Sequence, residues 1–124
     1  MIGVDVITLA RMARAVEGGG DTFLRRVYAP AERARASESG DPLRAYAAAF
    51  AAKEAVYKAV GVPWAPDGDL PNIEVGRDDT GRPTVTLTHG MARAAREKGI
   101  VGVELSISHE EDLVVAMAMA LTAS

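Results

Sequence analysis

The chain has 124 residues, no cysteine and a formal net charge of -3, which excludes disulfides, thiolate metal sites and a broad basic footprint for nucleic acid. Its hydrophobic residues comprise 23 alanines and only 37 larger side chains, so the core has to be small and closely packed, and the length suits one domain over residues 1–124. The opening Met1-Ile2-Gly3-Val4-Asp5 lacks the basic region and long apolar run of a secretory leader, and the longest apolar run, Leu113 to Leu121, is too short to span a membrane; a cytoplasmic location is expected.

Ile2 to Thr8 reads as a short β-branched strand interrupted by Asp5. Leu9, Met12, Ala13 and Val16 recur at helical spacing, Gly18-Gly19-Gly20 ends that helix, and Asp21 caps a second one through Tyr28. Pro30 suits the first turn of another short helix. Asp41-Pro42 then joins an N-cap to a first-turn proline, and Gly61 is a C-terminal cap, so the longest helix lies between them. Within it Leu43, Ala47, Phe50, Glu54 and Tyr57 follow helical spacing, which places Glu54 in the stripe expected to face the core. Val62 to Asn72, around Trp64, reads as a loop. Ile73 to Arg77 and Pro83 to Leu87 form a hairpin, Met91 to Lys98 a helix ended by Gly99, and Val101 to His109 and Leu113 to Thr122 two strands joined by Glu110-Glu111-Asp112. Ala116, Ala118 and Ala120 share one face of the last strand, so a helix can approach it closely. The order predicts an α+β fold: a mainly antiparallel sheet packed on one long helix, with short helices beside it.

Two carboxylates, Asp5 and Glu54, stand where burial is expected. An unpaired buried carboxylate is costly, so each has to be neutral, paired or bound to a metal. With hard oxygen donors and no thiol, Mg²⁺ is the natural candidate, because it commonly takes one or two carboxylates plus phosphate oxygens. The alternative is a pair of salt bridges, Asp5 with an arginine and Glu54 with Lys58. Lys53 and Lys58 flank Glu54, and either can reach a phosphate or simply be solvated. His109 extends the row Val103, Leu105, Ile107 at a strand end, while Ser106 and Ser108 face the other way. It can bind phosphate or serve the structure. Arg11, Arg14, Arg25 and Arg26 form a local basic stretch, either a docking patch or a solvated helix face.

Gly3-Val4-Asp5-Val6, Phe50-Ala51-Ala52-Lys53-Glu54-Ala55-Val56-Tyr57-Lys58-Ala59-Val60-Gly61 and Leu105-Ser106-Ile107-Ser108-His109-Glu110 together resemble the motifs of the holo-[acyl-carrier-protein] synthase family, the group I 4′-phosphopantetheinyl transferases. Arg25 to Arg33, Asn72 to Val75 and Gly81 to Val85 add supporting similarity. The resemblance implies the fold of that family and transfer of 4′-phosphopantetheine from coenzyme A to a serine of an apo acyl carrier protein, releasing adenosine 3′,5′-bisphosphate. It implies Asp5 and Glu54 as Mg²⁺ ligands and as catalytic residues with Lys58. It also implies Lys53, Lys58, Pro83, Ser108 and His109 at the coenzyme A site, and Arg11, Arg14, Arg25 and Arg26 as the carrier-docking face. A homotrimer with sites between subunits is expected, its interface drawing on the alanine face of the last strand and the apolar sheet. No nucleic acid or membrane partner is expected.

Three positions depart from the family pattern: Thr8 replaces a frequent acid, Ala49 a common arginine and His89 a usual glycine. They keep a second reading open, a non-catalytic carrier-binding or assembly subunit. Whether the carrier belongs to fatty-acid, polyketide or peptide synthesis is not encoded in these motifs.

Overall fold

The computed structural model describes residues 1–62 and 70–123. The part of the expected loop around Trp64 lies outside the described residues. In chain order the elements are β1 (Ile2–Thr8), α1 (Leu9–Val27), α2 (Pro30–Glu38), α3 (Pro42–Val60), a 3₁₀ turn (Leu70–Asn72), β2 (Ile73–Arg77), β3 (Pro83–Leu87), α4 (His89–Glu97), β4 (Ile100–Glu110) and β5 (Leu113–Thr122). The order expected of an α+β fold is therefore present. The sheet is divided: β1, β5 and β4 make one antiparallel sheet in that spatial order, and among the described residues the β2–β3 hairpin pairs only within itself.

Helix boundaries follow the capping chemistry. Asp41 accepts from the Arg44 N–H at 3.1 Å, Pro42 opens α3, and Gly61 ends it at φ 76, a left-handed conformation that glycine adopts without a Cβ clash. Thr8 caps α1 by accepting from the Arg11 N–H at 3.1 Å. The glycine triplet does not end α1 at once. Helical structure continues to Gly20, whose φ of 55 and ψ of −144 kink the chain before Asp21, so the two short helices expected from the sequence form one bent run.

The core lies between α3 and the inner face of the β1–β5–β4 sheet. Ala47, Ala51, Ala52, Ala55, Val56, Ala59 and Val60 are buried on α3, opposite Ile7, Val114, Ala116 and Ala118. This corrects the expected stripe: Phe50, Glu54 and Tyr57 lie at the margin of the buried face, and the alanine positions fill its centre. At Gly3 the approach is so close that an added Cβ would sit 2.0 Å from the Ala55 carbonyl oxygen. Small residues thus bring β1 against the backbone of α3.

The alanine face of β5 is therefore covered by the chain's own helix, and the expectation that it forms a subunit interface is overturned. The apolar surface left open is the opposite face. There Ile2, Val4 and Val6 of β1 pair in register with Met119, Met117 and Val115 of β5, and Ile2, Val4, Val6, Met117 and Met119 are exposed. Among the described residues no helix is long and apolar enough to cross a membrane.

Candidate active site

The approach of β1 to α3 determines which charged groups meet. Gly3, Asp5 and Ile7 point inward, and the helical turn beside Gly3 carries Glu54 and Lys58. The Lys58 ammonium donates to the Val4 carbonyl at 3.0 Å and reaches Asp5 Oδ1 at 3.3 Å. Lys58 thus pairs across to the strand, rather than along its helix as the salt-bridge alternative had it. The Asp5 side chain is 18% exposed and that of Lys58 52%, so the cluster is open to a ligand.

Glu54 is half-buried, and burial, followed by the like charge of Asp5, raises its carboxyl above the usual range; Lys58 and Arg11 act in the opposite sense. Two carboxylates of like charge this close are a poor arrangement without a cation and a good one with it. No three His, Asp or Glu side chains among the described residues form a cluster able to hold a metal. The donor set fits Mg²⁺ nonetheless, because this ion retains waters and takes phosphate oxygens alongside one or two carboxylates. Thr8 adds no acid here, and its hydroxyl oxygen is engaged in the α1 cap.

Lys53 is not placed to join the coenzyme A site that the resemblance implies. It is fully buried, donating to Glu32 Oε1 at 2.6 Å, to the Leu70 carbonyl at 2.8 Å and to the Ile73 carbonyl. Burial pushes its pKa down, and Glu32 opposes that shift. The Glu32 carboxylate also accepts from the Ala29 N–H at 2.8 Å and the Val75 N–H at 2.7 Å. The pair ties α2 and α3 to the hairpin. Sequence reasoning did not single out Glu32, since its Lys53 and Val75 partners are distant along the chain and only the Ala29 contact is local.

His109 lines a cavity of about 480 Å³ between α2, α3, β2 and β4, with Ala48, Ala49, Gly76 and Ile107. Its Nδ1 lies 2.9 Å from Arg44 Nη1. Arg35 and Arg77 line the same cavity; sequence reasoning missed all three arginines because they converge from three separate elements. Ser108 is not brought to this cavity. It stands on the opposite sheet face, across from Val115. Pro83 begins β3 opposite Arg77, and Asp5, Glu54 and Lys58 are not among the residues lining the cavity. Arg11, Arg14, Arg25 and Arg26 are all exposed along α1. His89, at φ 48, occupies a backbone conformation that glycine takes more easily.

Residues 1–118 match the family model of the 4′-phosphopantetheinyl transferase superfamily. The chain is 42% identical over 120 residues to a holo-[acyl-carrier-protein] synthase of Desulforudis audaxviator, covering 97% of this chain and 91% of that protein. The crystal structure of the holo-[acyl-carrier-protein] synthase of Neisseria meningitidis superposes with a TM-score of 0.89 at 36% identity, covering 98% of this chain and 97% of the other. The Helicobacter pylori holo-[acyl-carrier-protein] synthase, solved in complex with coenzyme A, gives a TM-score of 0.79 at 25% identity, covering 98% and 100%. With the Asp5, Glu54 and Lys58 cluster assembled on such a fold, the chain belongs to the holo-[acyl-carrier-protein] synthase family, within the 4′-phosphopantetheinyl transferase superfamily.

Proposed function

We propose that this chain moves 4′-phosphopantetheine from coenzyme A to a serine of an apo acyl carrier protein in an Mg²⁺-dependent reaction that releases adenosine 3′,5′-bisphosphate. The observation that carries this reading is the meeting of Asp5, Glu54 and Lys58 at the β1–α3 contact. In the reaction the serine oxygen forms a bond to the phosphorus bearing pantetheine, and the bond from that phosphorus to the bridging oxygen of the diphosphate breaks. Mg²⁺, held by Asp5 and Glu54, would supply charge neutralisation for the diphosphate. Lys58 reaches the leaving phosphate from its exposed position, stabilising or protonating it. Glu54, whose proton affinity is raised, is the candidate acceptor of the serine proton. Arg11, Arg14, Arg25 and Arg26 offer an exposed basic face to the acidic carrier.

The carboxylate cluster and the His109 cavity share no lining residue, and a site formed between two chains would let one donor molecule contact both. The exposed apolar face of the sheet supports a homotrimer with sites between subunits. A cytoplasmic enzyme fits the absence of cysteine.

Incubation with coenzyme A, Mg²⁺ and apo carrier proteins from fatty-acid, polyketide and peptide systems, read by mass spectrometry, tests the reading. The expected result is a phosphopantetheine adduct on the carrier serine, lost with chelator and restored by Mg²⁺. No adduct on any carrier would refute it, and carrier binding without turnover would establish the assembly-subunit alternative.

A further inference from the structure

Lys53 and Glu32 form a buried ion pair, and the transfer chemistry uses neither of them. Every hydrogen of the ammonium is committed. Lys53 Nζ donates to Glu32 Oε1 at 2.6 Å, to the Leu70 carbonyl at 2.8 Å and to the Ile73 carbonyl, and an ammonium has three hydrogens to give. The Tyr28 ring covers it, with the centroid 5.9 Å from Nζ. Glu32 cannot follow a moving partner, because its carboxylate also accepts from the Ala29 N–H at 2.8 Å and the Val75 N–H at 2.7 Å. The end of the Lys53 side chain is thus fixed by α2, the 3₁₀ turn and β2, none of which belongs to the sheet that carries Asp5.

A buried ion pair is weak evidence for stability, since well-packed apolar replacements often do as well, and specifying one arrangement is its better attested use. α3 needs such a device. Alanine is its commonest residue, and a turn of about 100° around the helix axis puts Ala48 and Ala52 where Ala47 and Ala51 were. The close approach at Gly3 limits how near the helix comes to β1, but a cylinder touching a strand can still roll. Leu43, Tyr46, Phe50 and Tyr57 are half-buried at the margins, where a flexible side chain accommodates a small rotation. Lys53 precedes Ala55 by two residues, about 200° around the helix, so it holds α3 from the side away from β1. Glu54 is the next residue, and at about 5–6 Å from the axis a roll of about 10° moves it by about 1 Å relative to Asp5.

We propose that Lys53 is a positioning residue: held by Glu32, it fixes the rotation of α3 and so sets where Glu54 meets Asp5. The proposal rests on Glu54 serving the transfer reaction proposed above.

The test is the double variant Lys53→Met with Glu32→Gln, which removes both charges together and leaves no buried charge unpaired. It should fold, keep KM for coenzyme A within about threefold of the wild type, and lose about ten- to a hundred-fold in kcat, the range for a displacement of reacting groups approaching 1 Å. A pair that served stability alone would shift the thermal midpoint and leave kcat of the folded protein unchanged. Crystal structures of the wild type and the double variant should show α3 rolled and the Glu54 carboxylate displaced against Asp5. Glu32→Gln alone, which leaves Lys53 its two carbonyl acceptors, should give a smaller loss of kcat at unchanged KM. If the double variant does not fold, a wild-type kcat in Glu32→Gln overturns the proposal. A folded double variant with wild-type kcat also overturns it, and leaves the transfer reaction standing. If the wild type transfers nothing, the crystal structures decide: a displaced Glu54 sustains the positioning role while the transferase reading falls, and an unmoved Glu54 refutes the role whatever the activity.

Discussion

Replacing Gly3 by alanine tests whether the contact between β1 and α3 sets the catalytic geometry. A Cβ at this position would lie 2.0 Å from the Ala55 carbonyl oxygen, 2.7 Å from the Ala59 nitrogen and 2.9 Å from the Lys58 Cβ. Ordinary contact begins at 3.4 Å, so the strand has to retreat by about 1.4 Å from a helical backbone that cannot yield. Asp5 lies two residues further along the same inward face and moves with the strand, whereas Glu54 and Lys58 stay with the helix. A displacement of this size costs about a hundred-fold in rate where reacting groups have to be aligned, and overpacking of a core costs about 1–3 kcal/mol. The assay is carrier modification followed by mass spectrometry at saturating coenzyme A, with a thermal melt on the same sample. Gly18→Ala is the control, since nothing lies within 4 Å of its added Cβ, and it should leave kcat intact. A Gly3→Ala protein that is folded and has wild-type kcat would refute the argument that β1 packing spaces the two carboxylates.

Three other outcomes follow from the same contacts. Lys53→Met should destabilise the protein by about 3–5 kcal/mol, because it strands a buried Glu32, and Glu32→Gln combined with it should recover part of that loss; a variant with unchanged Tm and raised KM for coenzyme A would return Lys53 to the phosphate site. Charge reversal at Arg14 or Arg25 should raise KM for the carrier more than KM for coenzyme A, with wild-type carrier association weakening as salt rises; equal effects on both substrates would count against docking along α1. Met117→Glu places a charge in the centre of the exposed apolar face and should yield inactive monomers by analytical ultracentrifugation, whereas an active monomer would remove the need for two chains per site.

The backbone was more legible from sequence than the charge pairing. β1, the hairpin strands and β5 occupy their expected ranges, and α3 lies between its Asp41 and Gly61 caps, since alternation, turn residues and caps are local signals. Asp5 and Glu54 were legible as carboxylates in apolar surroundings. The partners of the lysines were not. Lys53 and Lys58 are equally plausible beside Glu54 in one dimension, but helical rotation buries the first against Glu32 and turns the second toward Asp5. The arginine cavity was hidden for the same reason: Arg35, Arg44 and Arg77 approach only after α2, the hairpin and β4 have closed around α3.

The alanine content links these observations. A helix and a sheet that face each other through Ala51, Ala55, Ala59, Ala116 and Ala118 have little side-chain volume to separate them, so their backbones come close enough for Gly3 to touch Ala55. That closeness brings a strand carboxylate to a helix carboxylate, which larger core residues would prevent. It also limits the apolar area each chain can bury on its own, and larger side chains, Ile2, Val4, Val6, Met117 and Met119, remain exposed on the outer face. Burying that face between subunits would add stabilisation of roughly 25 cal/mol per Å². On this reasoning, enlarging the inner alanines should impair catalysis without altering assembly, and charging the outer face should do both, so the substitution Ala55→Val and the substitution Met117→Glu separate the two roles. Loss of assembly in Ala55→Val would show that the helix–sheet spacing and the outer face are not independent.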